Sequence, residues 1–118
     1  MTIWLYSVSM PEIPDALIDH VADRFRLLGD PTRLRILRAL LNRGEATVTD
    51  IVAATGATQA NVSKHLRLLS DARIVKRRAA GTSAFYRVID PTVPELCDIV
   101  CGGIRQRALN EAALVSAG

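Results

Sequence analysis

Between Asp30 and residue 69 the chain sets three helix-period segments end to end with almost no slack between them. The first, "DPTRLRILRALLNRGE", carries its own start and stop. Asp30 is a good N-cap, Pro31 suits the first helical position, and Gly44 follows the last turn. Leu34, Leu37, Leu40 and Leu41 supply its expected buried stripe. A short segment over residues 48–54 stops at Gly56, and "TQANVSKHLRLL", residues 58–69, begins at once. A helix, a tight glycine turn and a second helix predict a helix-turn-helix. After Asp71 the period changes. "RIVKRR" and "SAFYRVI" are β-prone runs separated by "AAGT", which predicts a hairpin.

The flanks complete the order. A first helix is expected over Asp15–Leu28, with Leu17, Ile18, Val21, Phe25 and Leu28 on its apolar side. Pro91 and Pro94 precede a final helix over about residues 93–115. Pro11 and Pro14 predict an irregular segment over residues 1–14, with Met10 an alternative start. The predicted fold is therefore mainly α with a small β-hairpin. It is a winged helix-turn-helix of five helices over residues 15–118, with the wing between the fourth and fifth.

Residues 58–69 have two unlike faces when placed on a helix. Val62, His65, Leu66 and Leu69 gather on one side, and Gln59, Ser63, Lys64 and Arg67 on the other. An ordinary solvated face mixes acids with bases, but no acid occurs here before Asp71. From Thr58 to Arg87 seven Lys and Arg stand against that one Asp, although the whole chain is only +3. A basic block inside a near-neutral chain predicts a polyanion held at one surface. A major groove rewards such a mixture, because amides and hydroxyls meet base edges while cations neutralise phosphates. The DNA-binding set read from the pattern is Thr58, Gln59, Asn61, Ser63, Lys64 and Arg67 on the helix, with Lys76, Arg77, Arg78 and Arg87 on the wing. The expected partner is double-stranded operator DNA.

Composition supports a folded chain. Of its 118 residues 49% are hydrophobic and 23% charged, enough to bury a core without disulfides or metal. No apolar run reaches the roughly 18–20 residues that span a membrane. "MTIWLYSVSMPEIP" lacks a basic start and a long apolar stretch, so no signal peptide is expected. The expected location is cytoplasmic, where the two cysteines stay thiols.

Three fragments in order resemble the arsenic-repressor (ArsR/SmtB) family of bacterial winged-helix repressors. "LGDPTRLRIL" is similar to its second-helix signature and "TQANVSKHLRLL" to its recognition helix. "RIVKRRAAGTSAFYRV" is similar to its wing, with Gly81 at the tip and Tyr86 on the return strand. The resemblance covers nearly everything after residue 15. It implies a homodimer in which the first and last helices pack across a two-fold axis, and an operon repressed until an inducer binds.

The sequence departs from that family at its two common metal positions. Where the family places a Cys-x-Cys pair entering the third helix, this chain reads "EATVTDI", with Thr47 and Thr49 in place of the thiols. Threonine hydroxyls are poor ligands for soft metals. On the last helix Asp90 remains, but Thr92, Gly103 and Gln106 occupy the other positions, and one carboxylate is not a zinc site. What remains is "ELCDIVCGG". Cys97 and Cys101 lie four apart, so on a helix their Cβ atoms are about 5–6 Å apart on one face. Two readings stay open. Both are small hydrophobes at a dimer interface, or both are an inducer site for As(III), Sb(III) or another soft ion, or for oxidants or reactive sulfur. No cofactor is expected to be required. Gly102 and Gly103, costly inside a helix, imply either a close approach of two last helices or a local break beside the thiols. His20 is expected at the surface and His65 in a structural role.

No nucleophile–base pair, phosphate-cradling glycine loop or carboxylate pair is present, so no enzyme is expected. The competing class is a winged-helix module that binds another protein and no DNA. A regulator whose cysteines sense nothing and whose inducer is of another kind is the second alternative.

Overall fold

The computed structural model describes residues 12–117. Residues 12–14 lead without regular structure into α1 (Asp15–Leu28), and the rest of the expected irregular segment, with Met10, lies outside the described residues. α2 (Pro31–Arg43) begins where Asp30 Oδ2 accepts the Arg33 backbone N–H at 3.0 Å. α3 (Val48–Thr55) opens on a reciprocal cap. Thr47 Oγ1 accepts the Asp50 N–H at 3.1 Å, and Asp50 Oδ2 accepts the Thr47 N–H at 3.0 Å. Gly56, left-handed at φ 74°, turns the chain into α4 (Gln59–Asp71). Thr58 caps α4, its hydroxyl accepting the Asn61 N–H at 3.2 Å.

β1 (Val75–Ala80) and β2 (Ser83–Val88) pair antiparallel, with Lys76 opposite Arg87, Arg77 opposite Tyr86 and Arg78 opposite Phe85. The expected loop "AAGT" is shorter than its sequence implied. Ala79 and Ala80 are in the ladder, and Gly81 with Thr82 forms a two-residue connection. Ala46, between α2 and α3, exchanges backbone bonds with Tyr86 at 2.8 and 3.1 Å and anchors the root of the wing. α5 (Thr92–Ala117) closes the order of five helices and a hairpin between the fourth and fifth.

The core is the meeting of α2, α3, α4 and β1. Ile36, Leu37, Leu40, Ile51, Val62, Leu66, Leu69, Ile74 and Val93 are fully buried. The apolar side expected for residues 58–69 is thus the buried one. The stripe expected for α2 is corrected. Ile36 joins Leu37 and Leu40 inside, while Leu34 and Leu41 stay exposed. Leu34 and Leu41 lie two turns apart at the edge of the stripe and line a groove toward α5 instead.

The outer helices leave apolar surface uncovered within one chain. Leu17, Ile18, Val21 and Phe25 on α1 and Ile99, Val100, Ile104 and Leu109 on α5 are exposed, Phe25 at 58% and Ile104 at 66%. α5 runs unbroken through Gly102 and Gly103, so the local break weighed from the sequence does not occur. A Cβ added at either glycine meets nothing within 4 Å in the chain. Among the described residues no helix is long and apolar enough to cross a membrane.

Candidate nucleic-acid interface

α4 owes its orientation to its own sequence. Because Val62, Leu66 and Leu69 are drawn into the core, Gln59, Asn61, Ser63, Lys64 and Arg67 are turned outward and exposed. The wing stands beside it. Ser63, Lys64 and Arg67 of α4 line one groove with Lys76, Arg77 and Tyr86 of the hairpin. Lys64, Arg67, Lys76 and Arg77 therefore open onto a single surface, and among the described residues Asp71 is the one acid that lines it.

The ten residues read from sequence are not equivalent in this arrangement. Gln59, Asn61, Ser63, Lys64, Arg67, Lys76, Arg77 and Arg87 are exposed, and among the described residues their side chains make no hydrogen bond or ion pair; Asn61 is engaged only through its backbone N–H. Thr58 spends its hydroxyl on the helix cap. Arg78 is committed elsewhere. Its Nε and Nη2 donate to Glu45 Oε2 and Oε1 at 3.0 and 2.8 Å, and its guanidinium lies 4.9 Å from the centre of the Phe85 ring. That hydrogen bonding, with the nearby charges of Arg78 and Arg87, holds the Glu45 carboxyl below its usual range. Sequence reasoning passed over Glu45, because its partner is 33 residues away and no local pattern links them.

His65 is half-buried on the flank of α4, its Nδ1 accepting from Arg33 Nε at 3.2 Å. It serves the packing between helices, as its place beside Leu66 implied. His20 is exposed on α1.

The family's two common metal positions are otherwise employed. Thr47 is the cap of α3, its hydroxyl engaged by the Asp50 N–H. Asp90 accepts from Thr92 N and Oγ1 at 2.9 and 2.6 Å and from Arg24 Nη1 at 2.7 Å. Those Thr92 bonds first, and the Arg24 charge with them, keep the Asp90 carboxyl below its usual range. Its carboxylate is a helix cap and a tie to α1. Among the described residues no group of three His, Cys, Asp or Glu is placed to hold a metal ion.

Cys97 and Cys101 are free thiols on α5. Both line an apolar groove with Phe25, Leu34, Leu41 and Ile104. Cys97 is half-buried against the core, and burial, then Asp98 and Cys101, push its thiol up. Cys101 is exposed and takes a contact from Arg105 Nη2 at 3.7 Å. Two sulfurs on one helical face suit a thiophilic ion or electrophile, and among the described residues no third His, Cys, Asp or Glu is placed to complete a metal set with them.

Comparison with known proteins places these features in a lineage. Residues 30–77 match the family described as bacterial regulatory protein, arsR family. A probable mercury resistance operon repressor of Streptomyces lividans is 41% identical over 90 residues, covering 76% of this chain and 71% of that one. The crystal structure of the AntR antimony-specific transcriptional repressor superposes with a TM-score of 0.77 at 33% identity, over 86% of this chain and 91% of that chain. A homodimeric winged helix-turn-helix DNA-binding domain from Mycobacterium bovis, solved by NMR, superposes with a TM-score of 0.70 at 31% identity, over 84% of this chain and 94% of that chain.

Proposed function

The chain belongs to the arsR family of bacterial regulatory proteins, and from that premise we propose how its own residues do a repressor's work. It is a DNA-binding transcriptional repressor that acts on operator DNA as a homodimer and responds to an inducer. The observation that carries the DNA-contact assignment is the shared groove of Ser63, Lys64, Arg67, Lys76 and Arg77. Gln59 and Ser63, with Asn61, read base edges in the major groove. Lys64, Arg67, Lys76, Arg77 and Arg87 neutralise phosphates. Thr58 contributes by capping the helix that carries them. Arg78 reaches a phosphate only by leaving Glu45, and in the free protein it braces the wing.

The inducer acts at Cys97 and Cys101. What supports this is the removal of the alternatives, since Thr47 and Asp90 are both bound into helix caps. Relatives named for mercury and antimony point to the same soft, thiol-seeking class, As(III) and Sb(III) included. A thiophilic ion bound there draws on the two sulfurs after loss of their protons, and it sits on the helix whose apolar face meets the partner chain. Strain at that helix changes the angle between the two recognition helices. A coupling of about 1–3 kcal/mol lowers operator affinity about 5–150-fold.

The test is operator release from the parent and from a double variant, Cys97→Ser with Cys101→Ser, by arsenite, antimonite, cadmium, persulfide and peroxide. Release of the parent alone supports the cysteine site. Equal release of both proteins by the same agent removes it.

A further inference from the structure

One side chain joins three elements at the centre of this chain. Arg33 stands in the first turn of α2, and its backbone N–H is held by Asp30 Oδ2 at 3.0 Å. Its Nη1 donates to the Leu27 carbonyl at the end of α1, 3.2 Å away. Its Nε donates to His65 Nδ1 on α4, also at 3.2 Å. The last bond spans 32 residues and lands on the helix that carries Gln59, Ser63, Lys64 and Arg67. His65 follows Lys64 directly and precedes the fully buried Leu66, so it sits on the hinge line between the outward and inward faces of α4.

Hydrophobic packing alone leaves α4 some freedom to roll, because Val62, Leu66 and Leu69 form a smooth apolar stripe. A directional bond at the flank removes that freedom. Base readout needs it removed, since bidentate contacts tolerate little misorientation. We infer that the Arg33–His65 bond is a positioning device for the recognition helix, fixing the angle of α4 against α1 and α2, and that specific operator binding requires the bond to be made.

The chemistry of the bond supplies its own probe. Nδ1 accepts only as a neutral imidazole with its proton on Nε2, and a protonated ring has no acceptor left. Three charged groups act on the ring: Arg33 from α2, Asp30 at its cap, and Lys64 on α4. Burial first, then Arg33, with Lys64 in the same sense, favours the neutral form, and Asp30 opposes them. At neutral pH the bond is made. In acid it breaks, and two cations then face one another.

The inference rests on α4 being the DNA-reading helix, and the experiment separates the two ideas. Binding by fluorescence anisotropy is measured in steps from pH 7.5 down to 4.5 on the tightest duplex selected from a random pool and on a scrambled duplex. His65→Asn keeps an acceptor at the place of Nδ1 but does not titrate, whereas His65→Leu has no acceptor. At pH 7.5 the Asn variant should bind the selected duplex within about 2-fold of the parent, and the Leu variant about 10-fold more weakly, the loss of one charge-assisted hydrogen bond. As the pH falls the parent should drop toward the Leu variant while the Asn variant keeps its discrimination over scrambled DNA. Identical pH responses in parent and Asn variant overturn the inference alone. So does a parent that tightens in acid, which would mark His65 as one more phosphate-neutralising cation. A parent that binds neither duplex at pH 7.5 overturns the DNA-reading assignment with it.

Discussion

At the scale of residues, the proposed contact surface of α4 and the wing is expected to divide its labour by chemistry. Gln59→Ala should cost about 1–3 kcal/mol on the cognate operator and relax specificity there. Arg77→Ala should weaken all duplexes alike and reduce the salt slope by about 1 per chain. Arg78→Ala should leave that slope nearly unchanged, because Glu45 already holds its guanidinium. Glu45→Gln releases Arg78, so it should steepen the slope and strengthen binding to scrambled DNA. Titrations of these variants at several salt concentrations check all four. A pH dependence of stability belongs here too. His65 is held below its ordinary value, so the unfolded chain takes the proton first. The contribution of His65 is full above about pH 6.5 and declines below it. Urea unfolding of the parent should therefore weaken between pH 7.5 and 5.5 by more than that of His65→Asn.

At the scale of elements, local pattern made much of this molecule legible. Asp30, Gly44, Gly56 and the outward row of α4 were readable because caps, glycine turns and a 3.6-residue period are decided within a few neighbours. Leu34 and Leu41 misled because one apolar stripe on α2 serves two purposes. Its centre packs inside the chain, and its edge faces the groove toward α5. Periodicity reports that a side chain is apolar, not which surface covers it. The Arg33–His65 and Glu45–Arg78 pairs escaped for a different reason. Each spans more than thirty residues, and such partners are fixed only when the helices pack. Ala46 likewise gave no sign of its bonds to Tyr86, which any residue's backbone can make. The packing of α2 also sets an expected outcome. Leu40→Ala, at a fully buried position, should destabilise the fold by about 2–5 kcal/mol in denaturant unfolding.

At the scale of the whole molecule, α1 and α5 each give one buried side chain, Leu28 and Val93, to the core and leave most of their apolar faces uncovered within one chain. Their exposed Phe25, Ile99, Val100 and Ile104 would be an aggregation hazard if left in water. In the proposed dimer these faces are covered by the partner, which would set the spacing of two recognition helices and place Cys97 and Cys101 on an element shared by both chains. Ile104→Glu should therefore give a monomer by light scattering and abolish tight operator binding, while leaving the circular dichroism of the bundle intact. Two half-sites with centres about 34–36 Å apart match two recognition helices in successive major grooves.

The central claim is that a dimer grips operator DNA through one cationic surface formed by α4 and the wing. The measurement that tests it most directly is the stoichiometry and salt dependence of binding to a selected palindromic duplex. Five exposed cations per chain (Lys64, Arg67, Lys76, Arg77 and Arg87) set a limiting slope of about −9 for log K against log [salt] in a dimer. The account predicts two chains per duplex, a linear dependence approaching that limit, and a shallower slope when Lys76 and Arg77 are both replaced by Ala. One chain per duplex, or a slope that the double replacement leaves unchanged, would contradict it.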